Sequence, residues 1–186
     1  GESVKLRYLE ILGEKINFPE KHYQGEYIKD IARQLFIKHG EKLREEDPEG
    51  IFKDTAQNEI FTDIKKTLKN LGIHHDIFFN ENSLYDDGKI EELLNTFRKM
   101  NLSYEKDGAV WLKFSELGRA KDQVIVKSTD EPTYRLPDIA YHAVKMNRGY
   151  DLVFDLFGSD HEGTYPDVLA GLKAIGYDSS NVKVLI

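Results

Sequence analysis

The sequence predicts an α/β chain, and three observations carry that prediction. A strand, a helix and a second strand of parallel-crossover length fill residues 152–186. In the middle, two apolar stretches flank Asp107-Gly108, a strong hairpin turn signal. Before that, apolar residues recur at helical spacing. We therefore expect a mainly helical region over 1–103, then a small antiparallel β element joined to part of a parallel sheet over 104–186.

Each element has its own signal. A helix over Gln24 to His39 carries Tyr27, Ile28, Ile31, Ala32, Leu35 and Phe36 as a two-row apolar stripe. Asp54 to Leu71 repeats the pattern with Ala56, Ile60, Phe61, Ile64 and Leu68; Asp54 or Thr55 caps its start and Gly72 its end. Asp76 to Phe79 reads as a short strand. Asp87 to Met100 is a further helix turning Ile90, Leu93, Leu94 and Phe97 inward. Tyr104 to Lys106 and Ala109 to Phe114 form the hairpin, Gln123 to Lys127 adds a strand, and Pro132 to Leu136 adds an extended piece. Pro137 suits the first turn of a helix running to Asn147, where its missing N–H costs nothing. Leu152 to Phe157 is almost continuously apolar, as a strand covered on both faces would be. Pro166 opens a helix closed by Gly176, and Val182 to Ile186 returns as a strand.

Composition narrows the function classes. With 186 residues, 40% hydrophobic and 32% charged, the chain is long enough for a substantial core and polar enough for a globular surface. A net charge of −7 argues against general nucleic-acid binding through bulk positive charge, though local patches can still grip RNA. The absence of cysteine excludes a disulfide framework and thiolate metal ligation, and it fits a cytoplasmic setting. No apolar run approaches the ~20 residues that span a bilayer. His74-His75-Asp76 invites a metal reading, but neighbouring residues entering a strand point to opposite faces and do not converge on one ion. We expect no metal site.

Two segments carry the chemistry. Pro132-Thr133-Tyr134-Arg135-Leu136-Pro137-Asp138 places an aromatic ring and a carboxylate four residues apart at the entry to a helix. Such a pair can close on a flat cation, because a guanidinium needs a carboxylate for two-pronged hydrogen bonding and a ring beside it. The second segment, Gly158-Ser159-Asp160-His161-Glu162-Gly163, follows the apolar strand, where open α/β sheets collect their ligands. Its glycines let backbone approach a ligand while Asp160 and His161 offer hydrogen bonds. Tyr141 and His142 lie one turn beyond Asp138 and can line the same cleft.

These segments resemble arginyl-tRNA synthetase, a class I aminoacyl-tRNA synthetase, and so do Tyr23-Gln24-Gly25-Glu26-Tyr27-Ile28, Asn82-Ser83-Leu84-Tyr85 and the stretch from Tyr104 to Leu112. The resemblance runs through essentially the whole chain. It implies a partial Rossmann-like nucleotide-binding sheet with a mainly helical insertion. It also implies arginine contacts for Tyr134 and Asp138, which match the family's tyrosine and aspartate, and a pocket wall including Asp160, His161 and His142. The implied reaction joins arginine to its tRNA at the expense of ATP with Mg²⁺, in the cytoplasm.

The two ATP signatures of class I enzymes, a His-x-Gly-His sequence and a Lys-Met-Ser-Lys-Ser loop, are not in the sequence. His39-Gly40 and Lys145-Met146-Asn147-Arg148-Gly149 are the nearest strings, and both are placed wrongly. The chain therefore reads as an internal piece of a larger enzyme, carrying substrate selection but neither the chemistry nor tight nucleotide binding. The rivals are a class I synthetase for another amino acid, and a non-catalytic module that binds tRNA or a protein partner.

Overall fold

The computed structural model describes residues 1–186 and divides into two compact units, Gly1–Ile77 and Phe78–Ile186. The division falls after Ile77, whereas the sequence reading put a boundary at residue 103. The helix before residue 103 explains the difference. Its inward residues Ile90, Leu93 and Phe97 are buried with Leu112, Phe114, Ile125, Leu136 and Ile139 in one core.

The first unit contains α1 (Glu2–Ile11), α2 (Glu26–His39) and α3 (Lys53–Asn70). The expected stripe of α2 buries Ile28, Ile31, Ala32 and Leu35 against Val4 and Tyr8 of α1. Tyr8 is the pivot of this core. Its ring meets Phe52 edge-on at 5.3 Å, and its hydroxyl donates to the Gly40 carbonyl while accepting from the Leu43 N–H. That satisfies the polar tip of a fully buried ring. In α3 only Ala56 is buried, and Ile60, Phe61 and Ile64 remain 36–42% exposed. Their stripe does not enter the core of this unit, contrary to expectation.

The second unit begins with α4 (Asn82–Asp86) and α5 (Lys89–Lys99), followed by the antiparallel strands β1 (Ser103–Lys106), β2 (Ala109–Leu112) and β3 (Gln123–Val126) in that order. Asp107 and Gly108 both take positive φ, +53° and +73°, as a two-residue hairpin turn of this kind requires. Asp122 braces the element. Its carboxylate accepts from the Ser115 N–H and hydroxyl and from the Tyr104 hydroxyl, and these bonds hold its pKa below the usual carboxylate range against the opposing effect of burial.

Two expected extended pieces are corrected. Residues 76–79 form no strand; Phe79 is held instead by stacking on Tyr141 at 4.3 Å, with no ladder to join. The Pro132 to Leu136 piece is extended only as far as Thr133, whose N–H and hydroxyl bond to the Ile125 and Val124 carbonyls. The chain then turns directly into α6 (Arg135–Met146).

After α6 come β4 (Val153–Leu156), α7 (Tyr165–Ala174) and β5 (Val182–Leu185). β4 and β5 pair in parallel, Val153 opposite Val182 through Leu156 opposite Leu185, which is the predicted crossover. The strand is not covered on both faces within this chain. Asp155 is buried toward α6, while Phe154 and Leu156 point the other way and are 57% and 80% exposed. The α/β architecture itself is as the sequence predicts.

Candidate amino-acid binding cleft

A shallow cleft opens beyond the carboxyl end of β4. Asp138 and His142 of α6, Phe157 and His161 of the loop after β4, Thr164, Tyr165, Val168 and Leu169 around the start of α7, and Val184 of β5 line it. Its position follows from the topology: both strands of a parallel pair end on the same side, and the connecting loop crosses there.

Local sequence sets the loop. Phe157 continues the β4–β5 ladder through its N–H to the Leu185 carbonyl, and Gly158 then releases the chain. A Cβ at Gly158 would lie 2.6 Å from the Asp160 carboxylate, so a side chain there would push that group aside. The His161 ring stacks on Phe157 at 4.9 Å and nearly parallel, which aims an imidazole into the cleft from an apolar platform.

Asp138 is half-buried in the first turn of α6, its N–H bonded to the Tyr134 carbonyl. Burial raises its carboxyl pKa above the ordinary value, and the electrostatic influence of His142, His161 and Lys145 only partly offsets this. A half-desolvated carboxylate facing a cleft favours a cation there.

Below it lies a buried network. The His142 ring is 2.7 Å from the Asp138 carbonyl oxygen through Nδ1 and 2.7 Å from Asp155 Oδ2 through Nε2. Lys145 Nζ also lies 3.2 Å from His142 Nε2, and which ring nitrogen donates follows from the tautomer. Lys145 Nζ donates to the other Asp155 oxygen. Burial alone would raise the Asp155 pKa, but the hydrogen bonds and charges of His142 and Lys145 outweigh it and hold the carboxyl below its usual range.

The structure thus brings Asp138, His142 and His161 together. It does not put all five expected residues on the lining. Tyr134 sits at the N-cap of α6 with 85% of its surface exposed, and Asp160 is exposed on the loop, 3.8 Å from His161. Sequence reasoning missed Asp155 and Lys145. The available signal was Asp155 itself, a lone acid interrupting the apolar run Leu152 to Phe157.

This fold, with its cleft at the end of a parallel crossover, is that of a class I aminoacyl-tRNA synthetase catalytic domain. Two solved chains share it: a Thermus thermophilus arginyl-tRNA synthetase with a TM-score of 0.62 at 16% identity, covering 98% of this chain and 39% of that one, and a chain described as an arginyl-tRNA synthetase of Campylobacter jejuni with a TM-score of 0.87 at 32% identity, covering 98% and 42%. Over residues 3–185 the sequence matches the family of class I (R) tRNA synthetases, catalytic domain, and the chain belongs to that family. Among curated relatives, the arginine–tRNA ligase of Desulfotalea psychrophila is 54% identical over the whole chain, and that of Chlorobaculum parvum 48%. The chain spans about a third of the length of these relatives, 34% and 35%.

Proposed function

We propose that the chain is the arginine-selecting part of an arginine–tRNA ligase, and that Asp138 grips the substrate guanidinium with Tyr134 beside it. The observation that carries this reading is the half-buried Asp138 carboxylate at the cleft, its pKa raised by burial. Arginine stays charged at any working pH, so a desolvated carboxylate selects it over uncharged side chains. Tyr134, as exposed as it is, serves as a ring that folds over the guanidinium when arginine enters. His142 and His161 complete the wall, with Asp160 at its rim.

In the whole enzyme the substrates are L-arginine, ATP with Mg²⁺, and tRNA(Arg), and the setting is cytoplasmic. Arginine's carboxylate attacks the α-phosphate of ATP, pyrophosphate leaves, and a terminal ribose hydroxyl of tRNA then takes the arginyl group with release of AMP. The cleft residues supply orientation and charge complementarity for these steps rather than bond-making groups.

Neither class I ATP motif is found in these residues, so the 186-residue chain by itself is expected not to catalyse arginine-dependent exchange of pyrophosphate into ATP, with or without tRNA. Exchange above a blank prepared identically from a host carrying the empty vector would refute the division of labour proposed here.

A further inference from the structure

Asp167, in the first turn of α7, is 4% exposed and its two carboxylate oxygens serve two arginines. Oδ2 accepts from Arg135 Nε at 3.0 Å and Oδ1 from Arg119 Nε at 2.9 Å. A buried carboxylate needs such partners to offset its desolvation. The placement of those partners is what bears on the cleft. Arg135 directly follows Tyr134 and stands one turn before Asp138, on one wall. Asp167 directly precedes Val168 and Leu169, which line the opposite wall. Arg119 belongs to the turn after Phe114–Leu117, in the antiparallel element, and is not part of the lining.

One turn further along each helix, a second tie repeats the arrangement. Gly171 faces Ile139 so closely that a Cβ would lie 2.5 Å from the Ile139 Cδ1. The pairs 135 with 167 and 139 with 171 advance together, so α6 and α7 run side by side in the same direction. Glycine sets their spacing, and the ion pair sets their register at the end nearest the cleft. A tie of this kind controls the distance between Asp138 and the far wall.

We propose that Asp167 is a positioning residue for arginine selection: by gripping Arg135 it fixes the start of α6, and with it Tyr134 and Asp138, against the wall formed by α7. This rests on the reading of Asp138 as the guanidinium partner. Asp167→Asn replaces one accepting oxygen with an N–H₂ that faces a guanidinium donor, so the grip opens while side-chain volume is kept.

The test measures kcat and KM for arginine and for ATP in the complete ligase containing this chain. Asp167→Asn and Arg135→Gln are each expected to raise the arginine KM by roughly ten- to a hundred-fold, the scale of a small misplacement at a binding centre. The ATP KM should stay near normal. The double variant should be no worse than either single one, since both break the same tie. Arg119→Gln should raise the arginine KM clearly less than Arg135→Gln does, because its arm ties Asp167 to the antiparallel element rather than to α6. Should Asp167→Asn fail to accumulate as folded enzyme, Arg135→Lys keeps the positive charge but loses the planar Nε–H donor, and an increase confined to the arginine KM is again expected.

An unchanged arginine KM in Asp167→Asn or Arg135→Lys overturns the proposal. So does a parallel loss of all parameters tracking a lower fraction of folded enzyme, or an Arg119→Gln defect equal to that of Arg135→Gln. Asp138→Asn, assayed alongside, separates the two levels. If it is harmful while Asp167→Asn is not, only the positioning role falls. If Asp138→Asn is harmless, the pocket reading falls and the positioning role falls with it.

Discussion

Asp138→Asn in the complete ligase is expected to lower kcat/KM for arginine by roughly 30- to several-thousand-fold while leaving the apparent ATP affinity close to normal. On the proposed reading, the side chain keeps its shape but presents a neutral group to the guanidinium that Asp138 grips. Removing one member of such a hydrogen-bonded charge pair costs about 2–5 kcal/mol, and ~1.4 kcal/mol corresponds to a decade. If Asp138 served only the start of α6, Asn would do nearly as well and arginine kinetics would not change. Tyr134→Phe adds a distinction: a mild effect means the ring is the contact, and an effect as large as that of Asp138→Asn means the hydroxyl is. The pH profile gives an independent check. Because burial raises the Asp138 pKa, arginine binding should weaken on acidification at a higher pH than an exposed aspartate would allow. In Asp138→Asn that limb of the profile should vanish; its persistence at the same pH assigns the titration to another group.

The second large effect concerns Asp155. Asp155→Asn removes the acceptor pair shared by His142 Nε2 and Lys145 Nζ and leaves two donors facing a neutral amide in a buried site. Breaking a buried ion pair from one side costs about 3–5 kcal/mol. This should be read as a lower denaturant midpoint and as faster hydrogen exchange in α6 and β4. Replacing His142, Lys145 and Asp155 together by Leu, Met and Leu should cost less than Asp155→Asn alone, because no buried charge is then left unpaired.

The sign of the pH dependence follows from the shift. The folded-state pKa of Asp155 is depressed, so its stabilising contribution is present above its unfolded value of about 3.9 and is lost as pH falls through the lower folded value. Asp138 works in the opposite sense. Its folded pKa is raised, so its contribution is fully present below the unfolded value and is lost as pH rises through the folded one. Acid unfolding curves of wild type and Asp155→Asn should therefore converge at low pH. A constant separation down to the acid limit would show that Asp155 stabilises by packing rather than by charge.

Much of the architecture was legible because it rests on short-range pattern. The α2 stripe, the Asp107-Gly108 hairpin and the crossover from β4 to β5 are written in spacing and turn chemistry, and the structure has all three. The first helix was equally legible in principle. Val4, Tyr8 and Leu12 recur at i+4 before Gly13, which takes a positive φ, yet charged neighbours break up the stripe. The strand expected at Asp76 to Phe79 failed for a different reason. An apolar triplet has no period of its own, and only a partner ladder could have made it a strand.

The candidate site divides along the same line. Local spacing names the groups available: an aromatic and a carboxylate one helical turn apart, a glycine-flanked loop with Asp160 and His161, and a histidine on the next turn. These are local facts, set by helix periodicity and by where a strand stops. Packing of the folded chain sets which of them face one cleft, leaves Tyr134 and Asp160 outside its lining, and closes the Asp155–Lys145 network beneath it. The Asp167 grip on Arg135 and Arg119 spans 32 and 48 residues of sequence. No periodicity reaches that far. Such pairings are settled by which helix faces can pack together and by the need of a buried carboxylate for donors, and both exist only once the chain has folded.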